Sequence, residues 1–320
     1  MNARLRASVN SLLMLLSRSA VAYSLLNTTR SCSRVRLAVL AVLGFFGAIV
    51  PASGQTARES PSELIQKAVE REIAANNTTA RFMFTDRKET PHGPQTELLI
   101  ETNDAMAGVV VGINDKPLTA EQRRAEDGRL ARLLNNPDEL RKKQKSEKED
   151  SERVDRIMKA LPAAFLYEPD GIEMGSQSAG KLGDPLVRLK FHPNPKYRPP
   201  SRVEQVLVGM QGFISIDAKQ HRIARIDGTL VHEVSFGWGI LGHLDKGGHF
   251  FVEQADVGQD RWEITHMDLA FSGKILLIKG LSIKSSEVFS DFRPAPPNLT
   301  FAQGVEMLKK EAAGWTEKHQ

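Results

Sequence analysis

Cysteine occurs once in the 320 residues, as Cys32. That position precedes the point where the chain is expected to be cut, so the mature protein is expected to carry no thiol. Disulfides, thiolate metal sites and a cysteine nucleophile are then excluded, as is a lipid-modified N-terminal cysteine. Acidic side chains are absent before Glu59, and apolar ones are absent from Arg141 to Arg153. No HExxH pair and no Gly-x-Ser-x-Gly elbow occurs, which removes the usual signatures of a zinc hydrolase and of a serine hydrolase. The run Leu37 to Val50 is 14 residues long, short of the roughly 20 needed to span a bilayer.

What stands before Glu59 is basic and then apolar. Arg34 and Arg36 flank the apolar run, and Pro51-Ala52-Ser53-Gly54 supplies small residues ahead of Gln55, the layout of a secretory signal with its cleavage site. The expected organisation is a leader over 1–54, with 1–33 an unused upstream start or part of a transit peptide, and one β-rich domain over 55–320. Six of the 43 basic side chains precede Gln55, so the remainder carries 37 against 39 acidic ones, a net charge of about −2. The formal +4 of the whole chain therefore belongs to the leader, and a nucleic-acid function loses its main argument.

Met210 to Asp217 alternates with period two, Ile214 and Ile216 on one face and Phe213 and Ser215 on the other, which predicts a strand. Strands are expected again over His221 to Val234, with Gly228 as a bulge or bend, then Phe250 to Gln254, Asp260 to Phe271, Lys274 to Lys284 and Ser286 to Arg293. Ser272 with Gly273 reads as a turn between two of them. No connection here could hold a crossover helix, so the series predicts an antiparallel meander. Lys274 to Lys284 has apolar residues on both faces, which predicts cover on both. Arg81 to Lys88, Thr96 to Thr102 and Gly108 to Asn114 add three candidate strands, and Ala164 to Tyr167 and Pro185 to His192 two more. Gly171 to Gly183 reads as a mobile loop.

Ser60 with Glu63, Thr119 with Gln122, Ser201 with Glu204 and Thr300 with Gln303 have capping-box spacing and predict four helix starts. The first helix sets Leu64, Ile65, Ala68, Val69 and Ile73 in one stripe that should pack on the sheet. Thr119 to Leu161 reads as a helical insertion broken at Pro137. Within it Arg141 to Arg153 is a solvated or mobile charged helix, or a surface for an envelope protein partner. Phe301 to Trp315 is the closing helix.

Gly237-Trp238-Gly239-Ile240-Leu241-Gly242 has the spacing of the dinucleotide fingerprint but lacks the long helix that would hold a pyrophosphate. It reads instead as a tight apolar turn that plugs the core or touches a ligand. His221, His232, His243, His249 and His266 crowd beside Glu233, Asp245, Glu253 and Asp268 without regular metal-ligand spacing. Half-wet strand histidines are the plainer reading, and no metal, cofactor or catalytic residue is assigned. Asn77 and Asn298 stand in glycosylation sequons.

Leu161-Pro162-Ala163-Ala164-Phe165, Phe191-His192-Pro193-Asn194-Pro195, Phe236 to Gly242 and Asp245-Lys246-Gly247-Gly248 resemble a family of exported bacterial proteins without an established activity. More distantly, the layout resembles the periplasmic outer-membrane lipoprotein-carrier superfamily, from which the charged insertion is a departure. That resemblance implies an α+β fold, mainly antiparallel, with a curved half-open barrel sheet and flanking and lid helices. It also implies a periplasmic or secreted, non-enzymatic carrier of a lipid, acyl chain or lipoprotein, touching membrane at most transiently. Candidate lining residues are Phe213, Phe236, Trp238, Leu241, Phe250 and Trp262. An envelope interaction module and a hydrolase whose residues converge only in three dimensions are the other expectations.

Overall fold

A computed structural model describes residues 59–75, 80–237, 241–275 and 279–318. The expected leader, the sequon at Asn77 and the candidate residue Trp238 lie outside the described residues.

The chain opens with α1 (Pro61–Ala75), β1 (Arg81–Thr90), β2 (Gly93–Ile100), β3 (Ala107–Ile113) and the two-residue β4 (Lys116–Pro117). Helices α2 (Ala120–Asn135) and α3 (Pro137–Ala164) follow, then β5 (Phe165–Met174), β6 (Pro185–Pro193) and the short α4 (Arg202–Gln205), which runs into a 3-10 turn at Val206–Gly209. The second half holds β7 (Met210–Asp217), β8 (Arg222–Leu230), β9 (Val234–Phe236), β10 (Gly242–Leu244), β11 (His249–Asp256), β12 (Trp262–Ile275), β13 (Lys279–Ala295) and α5 (Phe301–Lys318). No described helix is long and apolar enough to cross a membrane.

Local chemistry sets the helix starts. Ser60 and Glu63 exchange backbone-to-side-chain bonds of 2.9 and 3.3 Å, Thr119 and Gln122 complete the same reciprocal box, and Thr300 and Gln303 do so at 2.9 and 3.3 Å. Each such cap stabilises its helix by about 1 kcal/mol. Ser201 caps Val203 at 3.2 Å, but its helix is only four residues long before the 3-10 turn. The break at Pro137 occurs because Asn136 accepts from the Asp138 and Glu139 amides, which starts a new helix with proline in the first turn.

All strands belong to one antiparallel sheet ordered β4-β3-β2-β1-β13-β12-β11-β8-β7-β6-β5, with the β9–β10 hairpin added through β10 to β12. The fold is thus α+β and dominated by an antiparallel sheet with flanking helices. The sheet is open, since β4 and β5 are its two ends.

Four expectations are corrected. Ser272 and Gly273 make no turn: they lie inside β12 opposite Ser282 and Leu281, and the pairing of β12 with β13 continues to Ile275–Lys279. Gly273 is instead a point of close approach, because a Cβ there would stand 2.0 Å from the His243 carbonyl oxygen of β10. Lys274 and Ile275 therefore end β12 while Lys279 to Lys284 begin β13, and the argument for cover on both faces of a single strand lapses. The segment Gly171 to Gly183 is not a free loop either. Its first residues extend β5, and Gly180 bonds to Gln254 and Asp256 at 2.8 and 3.1 Å, forming a parallel bridge to Ala255. Finally, the irregularity expected at Gly228 falls at Ala224, between the pairs Ser215–Arg225 and Ile216–Ile223.

The bulge at Ala224 has a twin at Thr265, between the pairs Glu253–His266 and Gln254–Ile264. An extra residue shifts the alternation by one, so Ile223 and Ile226, three apart, share a face, as do Ile264 and Met267. That face carries the larger core, packed under α1, α3 and the 3-10 turn. On β1 to β3 the opposite face carries a second core with α5 and Leu130 of α2: Phe82 and Phe84 join the first core and Met83 the second. Full burial of each such large apolar side chain stabilises the fold by about 1.5–3 kcal/mol.

The two ends of the sheet differ. At the β3 side, Glu126 Oε1 accepts from Val110 N at 3.0 Å, Arg129 Nη2 donates to Gly108 O at 2.7 Å, and Glu147 Oε2 accepts from Met106 N at 3.1 Å. Side chains of α2 and α3 thereby occupy backbone groups that an open edge would offer to another chain. β5, at the other end, pairs among the described residues with β6 alone, and Ile172, Met174 and the nearby Leu182 are 68, 62 and 69% exposed.

Candidate apolar ligand site

The second half of α3 returns to apolar sequence as Val154, Ile157, Met158 and Leu161, a spacing of three and four that lays all four on one helical stripe. The stripe faces the sheet without filling the space beneath it, and an apolar chamber of about 120 Å³ remains. Its floor is a cross-strand row, Ile214 of β7, Ile226 of β8 and Val252 of β11, in register. Ile223 and Ile264, re-aimed by the two bulges, extend that floor, and Phe250 and Phe271 close one side. Val206, Leu207 and Met210 form one stretch of wall, and Phe165, Tyr167 and Phe191 form a second.

That second wall is where two of the resembling motifs meet. The rings of Phe165 and Phe191 stand 4.7 Å apart, and Asn194 donates through its side chain to Ala163 O and through its backbone to Ala164 O, both at 2.9 Å. Tyr167 Oη donates to Leu161 O at 2.8 Å. Leu161, Ala163 and Ala164 lie in the last turn of α3, where no amide four residues on continues the helix, so these donors satisfy carbonyls that the helix end leaves open. Burial raises the Tyr167 hydroxyl well above the ordinary phenol range, keeping it neutral and a donor.

Polar groups reach the chamber wall through Glu72, Arg225 and Gln254. Glu72 is already saturated: it accepts from Arg222 Nε and Nη2 at 2.9 and 3.0 Å, from Ile223 N at 3.0 Å and from Gln254 Nε2 at 2.6 Å. Arg225 is held by Glu173 and Glu253, each at 2.8 Å. The wall therefore offers apolar contact more than hydrogen bonds. None of the lining residues comes from β1 or β13, where Glu287 is buried on the same face with Lys88 Nζ at 2.5 Å and Ser285 Oγ at 2.8 Å.

Among the residues singled out from sequence, Phe250 lines the chamber. Phe213 is on the opposite face, beneath the Arg188 guanidinium at 4.1 Å. Phe236 is buried in the main core from β9, and Leu241 packs against that core. Trp262 packs with Leu186 and Ala224, its Nε1 donating to Gln220 at 3.0 Å. The floor itself is aliphatic, whereas the candidates drawn from sequence are aromatic apart from Leu241. The signal that could have found it was the period-two pattern of Ile214 and the apolar return of Val154 to Leu161.

Two of the crowded histidines pair with carboxylates on the sheet face away from the chamber: His249 with Asp227 at 3.0 Å, and His266 with Asp268 at 3.1 Å. Phe251 lies between their rings, 6.4 Å from His249 and 5.3 Å from His266. His221 meets Glu59 at 3.5 Å, and His232 is exposed. These do not converge with the chamber.

No family model and no curated protein matches the chain. Among solved structures it is similar, distantly, to a domain from Vibrio parahaemolyticus assigned as an outer membrane lipoprotein-sorting protein. The two are 10% identical, the match covers 77% of this chain and 97% of that one, and the TM-score is 0.29.

Proposed function

We propose that the protein is an envelope binding protein whose sheet curves around the chamber and receives the apolar end of a lipid or acyl chain, without covalent chemistry. The observation that carries this reading is the partly open, almost wholly apolar space between the α3 stripe and the Ile214–Ile226–Val252 row. Its size limits what it takes. A cavity of about 150 Å³ accepts benzene, so 120 Å³ accepts a chain end of about four carbons. At about 0.8 kcal/mol each these contribute about 3 kcal/mol, less than the 4.1 kcal/mol that corresponds to a 1 mM dissociation constant. Useful affinity therefore requires α3 to lift and lengthen the chamber, with the stripe from Val154 to Leu161 acting as the lid. Saturation of Glu72 and Arg225 directs the choice to a neutral chain end whose head group stays outside.

The test is to purify the exported protein, extract it and identify bound lipid by mass spectrometry, then titrate the stripped protein with a fluorescent fatty acid. Saturable enhancement that a non-fluorescent fatty acid reverses is the expected result. A protein that carries no lipid and does not respond to the probe contradicts the reading.

A second reading, an envelope interaction module, is favoured by the free β5 end, where Ile172, Met174 and Leu182 face solvent. Pro169 and the bulge between Pro169 and Gly171 blunt its first half, so a partner strand would add beyond Gly171. Pull-down from envelope extracts that is lost on Ile172→Lys, with fatty-acid response intact, would select this reading over the first. Loss on deleting Arg141 to Arg153 would point to the charged helix.

A further inference from the structure

The β9–β10 hairpin carries a cluster that the chamber does not use. Its register pairs Phe236 with Gly242, Ser235 with His243 and Val234 with Leu244, and Glu233 and Asp245, just beyond its open end, bring their carboxylates within 4.8 Å of each other and of the His243 ring nitrogen. Carboxylates that close repel one another, and a cation between them removes the penalty. Both are also held in place by hydroxyls. Ser235 Oγ donates to Glu233 Oε1 at 3.0 Å, and Ser272 Oγ of β12 donates to Asp245 Oδ2 at 2.7 Å. The other oxygen of each carboxylate is turned to His243, whose Nε2 stands 3.3 Å from Asp245 Oδ1 and 4.0 Å from Glu233 Oε2.

We propose that Glu233, His243 and Asp245 bind a first-row divalent cation of the zinc class, with a further coordination position open to solvent. The three candidate ligand atoms lie within 4.8 Å of one another. Around a tetrahedral ion with bonds of about 2.0–2.2 Å, ligand atoms stand about 3.3 Å apart. The His243–Asp245 edge has that length already, and the exposed Glu233 side chain closes the rest by rotation. An imidazole with two carboxylates suits zinc or manganese better than calcium or magnesium, which take oxygen ligands. Ser235 and Ser272 would do what outer hydrogen bonds do in metal centres, fixing which carboxylate oxygen faces the ion. Bound there, the ion would tie the two ends of the hairpin together and, through Ser272, fasten it to β12. The irregular spacing that spoke against a metal in the sequence is supplied by the hairpin itself.

The experiment is calorimetric titration of the chelator-treated full chain with zinc chloride, with circular dichroism on every variant to verify the fold. One equivalent of zinc is expected. His243→Ala and Asp245→Asn should weaken it at least about tenfold, and Ser272→Ala by about tenfold. His249→Ala and His266→Ala, which remove the other histidine–carboxylate pairs, should leave it unchanged. If His243→Ala does not fold, the exposed Glu233→Gln carries the same expectation of a loss of at least about tenfold. Zinc uptake that survives these substitutions, or that depends on His249 or His266, overturns the proposal. So does a chain that takes up no zinc.

Discussion

Glu72 of α1 and Arg222 of β8 form a two-pronged ion pair, 2.9 and 3.0 Å, with both side chains buried. They are 150 residues apart in sequence, and the pair pins the first helix across the end of the chamber. Removing one partner leaves a charge without solvent, whereas removing both leaves none. Glu72→Ala should therefore cost about 3–5 kcal/mol in urea unfolding, and Glu72→Met with Arg222→Met should recover most of it. A loss below about 1 kcal/mol in the single variant would show that the pair is not clamping α1.

Filling the chamber separates stability from binding. Val252 is central in the floor row, so Val252→Phe places a ring in the 120 Å³ beneath α3. The variant should gain about 1 kcal/mol, as cavity-filling changes commonly do, and lose its response to a fluorescent fatty acid. Full retention of that response would remove the chamber as the binding site.

At the sealed sheet end, Glu126→Ala with Glu147→Ala frees the amides of Val110 and Met106. Each unsatisfied group should cost about 1 kcal/mol at this half-buried edge. Open strand groups should also make the variant self-associate, read as a concentration-dependent rise in light scattering.

Glu97 supplies a pH dependence. Burial pushes its carboxyl above the usual 4.5, and Arg129, at 3.9 Å, offsets only part of that. Between 4.5 and the raised value the folded chain holds a proton that the unfolded chain has released, so stability falls as pH rises through that window. Glu97→Gln removes this slope. Its midpoint in thermal unfolding should exceed that of the parent at pH 7, and the difference should shrink as pH falls below 4.5. An equal difference at both pH values would mean that the titration of Glu97 is not its source.

Much of the element pattern was readable because local chemistry produced it. The boxes at Ser60, Thr119 and Thr300 start helices wherever the chain lies, and Asn136-Pro137 breaks one for the same reason. The errors arose where a residue served a distant strand. Gly273 looks like a turn residue, yet it is glycine because the His243 carbonyl of β10 leaves no room for a Cβ. Ile223 and Ile264 were not recognisable as floor residues, because period-two counting puts Ile223 and Ile226 on opposite faces until a bulge at Ala224 reverses one of them. Asp245 and Glu233 read as ordinary acids until the hairpin brings both beside His243.

By itself the amino-acid order determined the antiparallel α+β class, the helix starts and the polar character of Arg141 to Arg153, since caps, alternation and charge act within a few residues. Tertiary structure alone decided that a helix roofs an aliphatic row, that Glu72 meets Arg222, and that one sheet end is sealed while the other is free. Those outcomes depend on strand register and on two single-residue bulges. Register is selected by the packing of the whole sheet, so no short stretch of the chain contains it.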